Sequence, residues 1–133
     1  MAELKKPTLT GNDILEKALL ELNYTTPTGE PDPKLNQENT RKALQYINKA
    51  LLDLQLITKD ETIQPIAWLN EVLPVPDVVS TLVIVPSLAA DLAQGIGDAD
   101  QYNRFRVAYL EERRRVPPAT MQVQDVQPYP ALA

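Results

Sequence analysis

The chain has 133 residues, an ordinary size for one domain with a real core, and contains neither cysteine nor histidine. Disulfide stapling, thiolate chemistry, the usual proton shuttle and the commonest metal ligand are therefore all missing, which argues against an enzyme. Its net charge of −5 and pI near 4.7 speak against gripping nucleic-acid phosphates over the whole surface.

The opening residues, MAELKKPTLTGND, lack the apolar core of a signal peptide. A first helix is predicted from Gly11 or Asn12, with Thr10 or Asn12 as its cap, because Ile14, Leu15, Ala18, Leu19 and Leu22 fall on one face. It should end near Asn23, which tolerates the left-handed conformation. TTPTGEPDPK, with three prolines and a glycine, is a loop. A second helix is predicted from about Asn36 to Leu56. Its apolar stripe is Ala43, Leu44, Ile47, Ala50, Leu51 and Leu54, with Arg41, Lys42, Lys49 and Asp53 off it.

Residues 57–76 show no helical period and carry three prolines. Thr62, Ile63, Ile66, Trp68 and Val72 would suit short strands or a hairpin, and a loop of this length tends to be functional. A third helix should run from Asp77, its cap, to Gln94. Pro86 should kink it, and Leu88, Ala89, Ala90, Leu92 and Ala93 should make it the buried centre. No stretch reads as long and uninterrupted enough to cross a bilayer, so a soluble intracellular product is expected. Gly95 or Gly97 ends this helix. A fourth helix, Asp98 to Arg115, buries Tyr102, Phe105, Tyr109 and Leu110. The expected fold is mainly α: a small four-helix bundle with an extended or β-hairpin-like central loop. An extended C-terminal arm over residues 116–133 follows the helical domain of residues 1–115.

The arm, VPPATMQVQDVQPYPALA, has four prolines, one charge and unmatched apolar residues. Proline prevents it from continuing the helix, and its apolar content is unlike that of an ordinary solvated tail. Val116, Pro117, Pro118, Met121, Val123, Val126, Pro128, Tyr129 and Pro130 are candidate docking residues. Met121 and Val123 alternate with Gln122 and Gln124 as an added strand would. Just before the arm stand Arg113, Arg114 and Arg115. They can be read as helix C-terminal charge, a nucleic-acid contact or half of a protein–protein ion pair, and their position favours the last.

Charge is unevenly placed. From Lys59 to Arg104 no basic residue intervenes, while Asp60, Glu61, Glu71, Asp77, Asp91, Asp98 and Asp100 do. This is either solvated surface of mixed sign or, in a self-associating protein, a pair of complementary faces. The carboxylate pairs Asp60/Glu61, Asp98/Asp100 and Glu111/Glu112 fall at helix starts or exposed faces, where no convergent acid–base site is expected. The scattered glycines form no phosphate loop, and no cofactor or metal is implied. Trp68, among Ile66, Leu69 and Leu73, reads as a core or loop anchor.

LPVPDVVSTLVIVPSLAADLAQGIGDAD, preceded by GNDILEKALLELNY and ENTRKALQYINKALLDLQL, resembles the head–tail connector (adaptor) proteins of tailed bacteriophages. The likeness includes the tail accessory factors of short-tailed phages and covers roughly residues 10–115. Asn23 stands where relatives often have glycine, and Leu54, Gln55 and Leu56 where a tryptophan is common. The resemblance implies a structural, non-enzymatic protein of the virion neck, assembled in the host bacterial cytoplasm. Such adaptors form a homo-oligomeric ring, typically a dodecamer, under the portal protein and extend the DNA channel. DNA passes through the lumen without specific binding. The C-terminal segment docks on the portal, Arg113–Arg115 contact the portal or neighbouring adaptor subunits, and the central loop with Ile63, Ile66, Trp68 and Leu69 faces a tail or nozzle protein. No membrane is involved. The alternative is a small regulatory or nucleic-acid-binding helical protein.

Overall fold

The computed structural model describes residues 6–22 and 33–117, and these are mainly helical. Helix α1 spans Gly11–Leu22. The Thr10 hydroxyl accepts from the Asp13 amide at 3.2 Å while the Asp13 carboxylate accepts from the Thr10 amide at 3.0 Å. This reciprocal box makes Thr10 the cap and satisfies amides that the first helical turn leaves orphaned. Ile14, Leu15, Ala18 and Leu22 are buried.

Helix α2 spans Pro33–Thr58, longer at both ends than its apolar stripe predicts. Pro33 suits the first helical position, where no amide donor is needed. Ala43, Ile47, Ala50, Leu51 and Leu54 form the buried face, each large side chain contributing about 1.5–3 kcal/mol by burial. Thr58 extends the helix because its buried hydroxyl donates back to the Leu54 carbonyl at 2.7 Å. Lys59 then takes the left-handed conformation (φ 59°) and ends it.

Residues 59–76 form turns and bends rather than a hairpin. Among the described residues the single β-bridge joins Thr10 to Val72, so this excursion pairs with the N-terminal segment instead of with itself. Its three prolines and the lack of alternation leave no second run to pair.

The third helical stretch is α3 (Asp77–Val79), a π turn (Ser80–Ile84) and α4 (Val85–Gly95). The irregularity predicted at Pro86 therefore lies in the turn before it. The Val85 amide reaches the Ser80 carbonyl, and this wider turn shifts the register ahead of a ring that would clash with the carbonyl four residues back. Asp77 does not cap its own helix. Its carboxylate accepts instead from the Thr8 amide (2.8 Å), the Thr8 hydroxyl (2.5 Å) and the Leu9 amide (3.1 Å), tying the N-terminal segment to this helix.

Asp77–Gly95 is, by length and composition, apolar enough to cross a membrane: 19 residues, with a window of mean hydropathy 1.5. That corrects the expectation that no run is long enough. The window is 61% buried, because α4 packs against α1, α2 and α5 as the central core helix.

Helix α4 ends in a paired motif around Gly97 (φ 78°). The Asp98 amide donates to the Ala93 carbonyl at 2.9 Å and the Gly97 amide to the Gln94 carbonyl at 3.1 Å. Asp98 then caps α5 (Ala99–Arg113) by accepting from the Gln101 amide, so one residue closes one helix and opens the next. Phe105 and Tyr109 are buried, with Tyr102 and Leu110 packed partly against the core.

Candidate protein–protein interface

The central excursion is held at its backbone by hydrogen bonds from α2 and from the start of α1. The Asn48 side chain donates to the Ile66 carbonyl at 2.9 Å and accepts from the Ile66 amide at 2.8 Å. Gln55 donates to the Ile63 carbonyl at 2.9 Å. From α1, the amides of Gly11 and Asn12 donate to the carbonyls of Glu71 (3.1 Å) and Leu69 (2.8 Å), and the Leu73 amide returns a bond to the Leu9 carbonyl (3.0 Å). The Glu71 carboxylate accepts from the amides of Ala67 and Trp68, closing the tip.

This pinning decides which loop residues face outward. Ile63 and Ile66 are buried in the protein's own core and Leu69 is half-buried, so the first two are not available to a tail-side partner. Trp68, read as a core or loop anchor and set by the resemblance on the tail-facing loop, is 68% exposed and so not a core residue. Its apolar neighbours turn inward and leave the indole outside. Val72 is also exposed.

The second surface lies between α2 and α5. Asp53 accepts from the Tyr109 hydroxyl and from Arg113 at 2.8 Å. Arg106 and Arg113 lie over the Tyr109 ring at 5.4 and 5.5 Å from its centroid. Burial, reinforced by the Asp53 carboxylate, pushes the Tyr109 hydroxyl up to about 12, and the bond to Asp53 raises Arg113 further. Beside this cluster is an open groove of about 290 Å³ whose lining includes Lys49, Leu52, Leu56, Arg106 and Arg113. Leu52 and Leu56 are exposed.

Near Lys49, Asp91 is buried on α4, 3.7 Å from the Lys49 ammonium. Burial raises its carboxyl above the usual range, against the pull of Lys49 and Arg106. Its Oδ2 has no hydrogen-bond partner among the described residues.

Of the arginine triplet, Arg113 is half-buried and engaged within the chain by Asp53 and Tyr109. Arg114 and Arg115 are exposed, the latter 3.3 Å from Glu112. Val116 packs partly against the core and Pro117 is exposed. Pro118, Met121, Val123, Val126, Pro128, Tyr129 and Pro130 lie outside the described residues.

The carboxylate pairs do not converge on a common point. Asp60 accepts from the Thr62 amide and hydroxyl, Asp98 caps α5, and Glu112 meets Arg115. Among the described residues no group of three or more carboxylates could hold a metal ion. Sequence reading missed Asn48, Asp53 and Asp91. A signal existed for Asp53: Lys49 and Asp53 on α2, and Tyr109 and Arg113 on α5, are each spaced i, i+4 and so share a helix face.

No protein-family model, curated protein or solved structure matches this chain.

Proposed function

We propose that this chain is a non-enzymatic structural adaptor of a tailed bacteriophage, forming a homo-oligomeric ring under the portal that extends the DNA channel and links capsid to tail. The observation that carries this reading is Trp68: an exposed indole on a loop tip fixed by hydrogen bonds from α1 and α2. A rigid aromatic displayed to solvent is what a protein contact uses as an anchor. In this reading the helices make up a four-helix bundle whose extended excursion, residues 57–76, displays Trp68 to a partner protein. The segment after Pro117 docks on the portal. The acidic balance lets DNA slide through the lumen, since binding would need cation–phosphate contacts.

The test is a chain ending at Pro117 compared with the full chain, by circular dichroism and by co-sedimentation with the portal protein of the same virus. The truncated chain should stay helical and cooperative in unfolding yet fail to attach. Attachment without residues 118–133, or unfolding on their removal, sinks the docking role.

A nucleic-acid-binding role draws on exposed Arg114 and Arg115. It is weakened by the commitment of Arg113 to Asp53. Salt-sensitive DNA binding lost on replacing Arg114 and Arg115 with alanine would favour it over the adaptor.

A further inference from the structure

Trp68 and the α2–α5 groove are complementary in chemistry and lie on different sides of one helix. We infer that Trp68 of one copy seats in the α2–α5 groove of the next, so that identical chains join head to tail. The inference deepens the ring reading above and rests on it for closure of the ring.

Charge identifies the occupant. Trp68 belongs to an excursion that carries Asp60, Glu61 and Glu71 and no basic residue after Lys59. The groove lining presents Lys49, Arg106 and Arg113 against Asp53, with Asp91 buried near Lys49, so cations outnumber carboxylates by three to two. An acidic loop with an aromatic tip therefore meets a basic groove with the exposed apolar rim of Leu52 and Leu56. An indole entering there finds aliphatic walls and the Arg106 guanidinium, the combination in which cation–π attraction adds to burial. At about 290 Å³ the groove lies just below the usual range of small-molecule sites. Another outward groove, between Leu9, Asp13, Glu16, Lys17 and Leu20, carries two acids to one base and would repel the same loop.

Geometry makes the contact heterologous. Asn48 and Gln55, which hold the loop, lie roughly 100–160° around α2 from Lys49 and Asp53, at about 100° per residue. The loop is pinned to the α1 side of the molecule by Gly11 and Asn12. A knob and a hole on different sides cannot satisfy each other within one copy. Between copies they generate a ring if the rotation closes and a filament if it does not.

Because the chain has no cysteine, introduced thiols report contacts without background. Ala67→Cys, beside Trp68, and Leu56→Cys, on the groove rim, are both at exposed positions and are combined in one full-length chain. A short bis-maleimide should yield a ladder of covalent oligomers beyond dimer, with or without portal protein. Adding Trp68→Ala or Arg106→Glu should weaken the ladder by at least about tenfold, the scale of losing a hot-spot anchor. Circular dichroism checks that each variant is folded. Dimers from either single-cysteine chain as abundant as the ladder overturn the inference. So does an equal ladder from Ala67→Cys with Leu20→Cys, or no ladder both alone and with portal. Portal attachment without a ladder removes this contact and leaves the adaptor reading standing. A ladder without portal attachment does the reverse.

Discussion

The Asn48 side chain hydrogen-bonds both the carbonyl and the amide of Ile66, 18 residues further along the chain. One side-chain amide thus replaces the strand that the excursion lacks and fixes the position of Trp68 two residues on. Asn48→Ala leaves a part-buried amide and carbonyl unpaired, which costs about 1–3 kcal/mol. Urea denaturation should show that loss, and the emission of Trp68, the only tryptophan, should show greater mobility. Unchanged stability would mean that α1 alone holds the loop.

Gly11 meets the same loop from the opposite side. A Cβ there would lie 3.0 Å from the Leu69 carbonyl oxygen, 3.0 Å from Leu69 Cδ2 and 3.1 Å from Ile66 Cδ1. Alanine is the better helix former by about 1 kcal/mol, but a backbone oxygen that receives the Asn12 amide cannot retreat easily. Overpacking wins, and Gly11→Ala should destabilise by about 1–3 kcal/mol in thermal or urea unfolding. A more stable variant would show that the loop shifts freely.

Much of the helical core was legible because its information is local. Ile14, Leu15, Ala18 and Leu22, and the stripe from Ala43 to Leu54, repeat with the helical period, and Asp98 marks a helix start. The loop was not legible because its structure comes from distant partners. Asn48 reaches Ile66, and Thr8 meets Asp77 across 69 positions, leaving no periodic trace. The exposure of Trp68 is hidden for the same reason: Ile66 and Leu73 beside it are buried, and only the long-range bonds decide that the indole is not. The groove escaped notice because Lys49, Leu52, Asp53 and Leu56 look like an ordinary solvated helix face until α5 is laid beside them.

Asp77 makes the N-terminal tether acid-sensitive. The Thr8 hydroxyl and amide, with a bond from Leu9, hold its carboxyl below the usual 3.8, against a smaller desolvation effect. A depressed folded value contributes stability that is present above 3.8 and lost as pH falls through the folded value. Protection of the Thr8 amide against exchange, relative to its intrinsic rate at each pH, should therefore fall on acidification below that point. Asp77→Asn should show low protection at every pH. Strong protection in that variant would mean that the Thr10–Val72 bridge suffices as the tether.

Asp91 has the opposite sign. Its buried carboxyl is raised, so the folded protein holds a proton that the unfolded chain releases near 3.8, and stability declines as pH climbs from there through the folded value. Asp91→Asn should flatten that decline. At neutral pH it should stay within about 1 kcal/mol of the parent or exceed it, because desolvation outweighs a 3.7 Å pairing with a lysine that is 67% exposed. A loss of about 3 kcal/mol or more would instead mark the pair as a net stabiliser.

Tyr109 reports on the floor of the proposed docking groove. Its hydroxyl, pushed up to about 12 by burial and by the hydrogen bond to Asp53, stays protonated where an ordinary phenol has ionised. A raised folded value contributes stability fully present below 10 and lost as pH rises towards 12. Ultraviolet titration should therefore find one tyrosine that ionises only well above 10, absent in Tyr109→Phe. A hydrogen bond to a carboxylate contributes about 1.5–3 kcal/mol, and the 35% exposure of the Asp53 side chain lowers that to roughly 1 kcal/mol for the phenylalanine variant. The ring remains in that variant, so Arg106 keeps its platform. Cross-linking through Ala67→Cys and Leu56→Cys should accordingly survive Tyr109→Phe and fail with Arg106→Glu. If Tyr109→Phe abolished the ladder as well, the hydroxyl rather than the guanidinium would organise the groove.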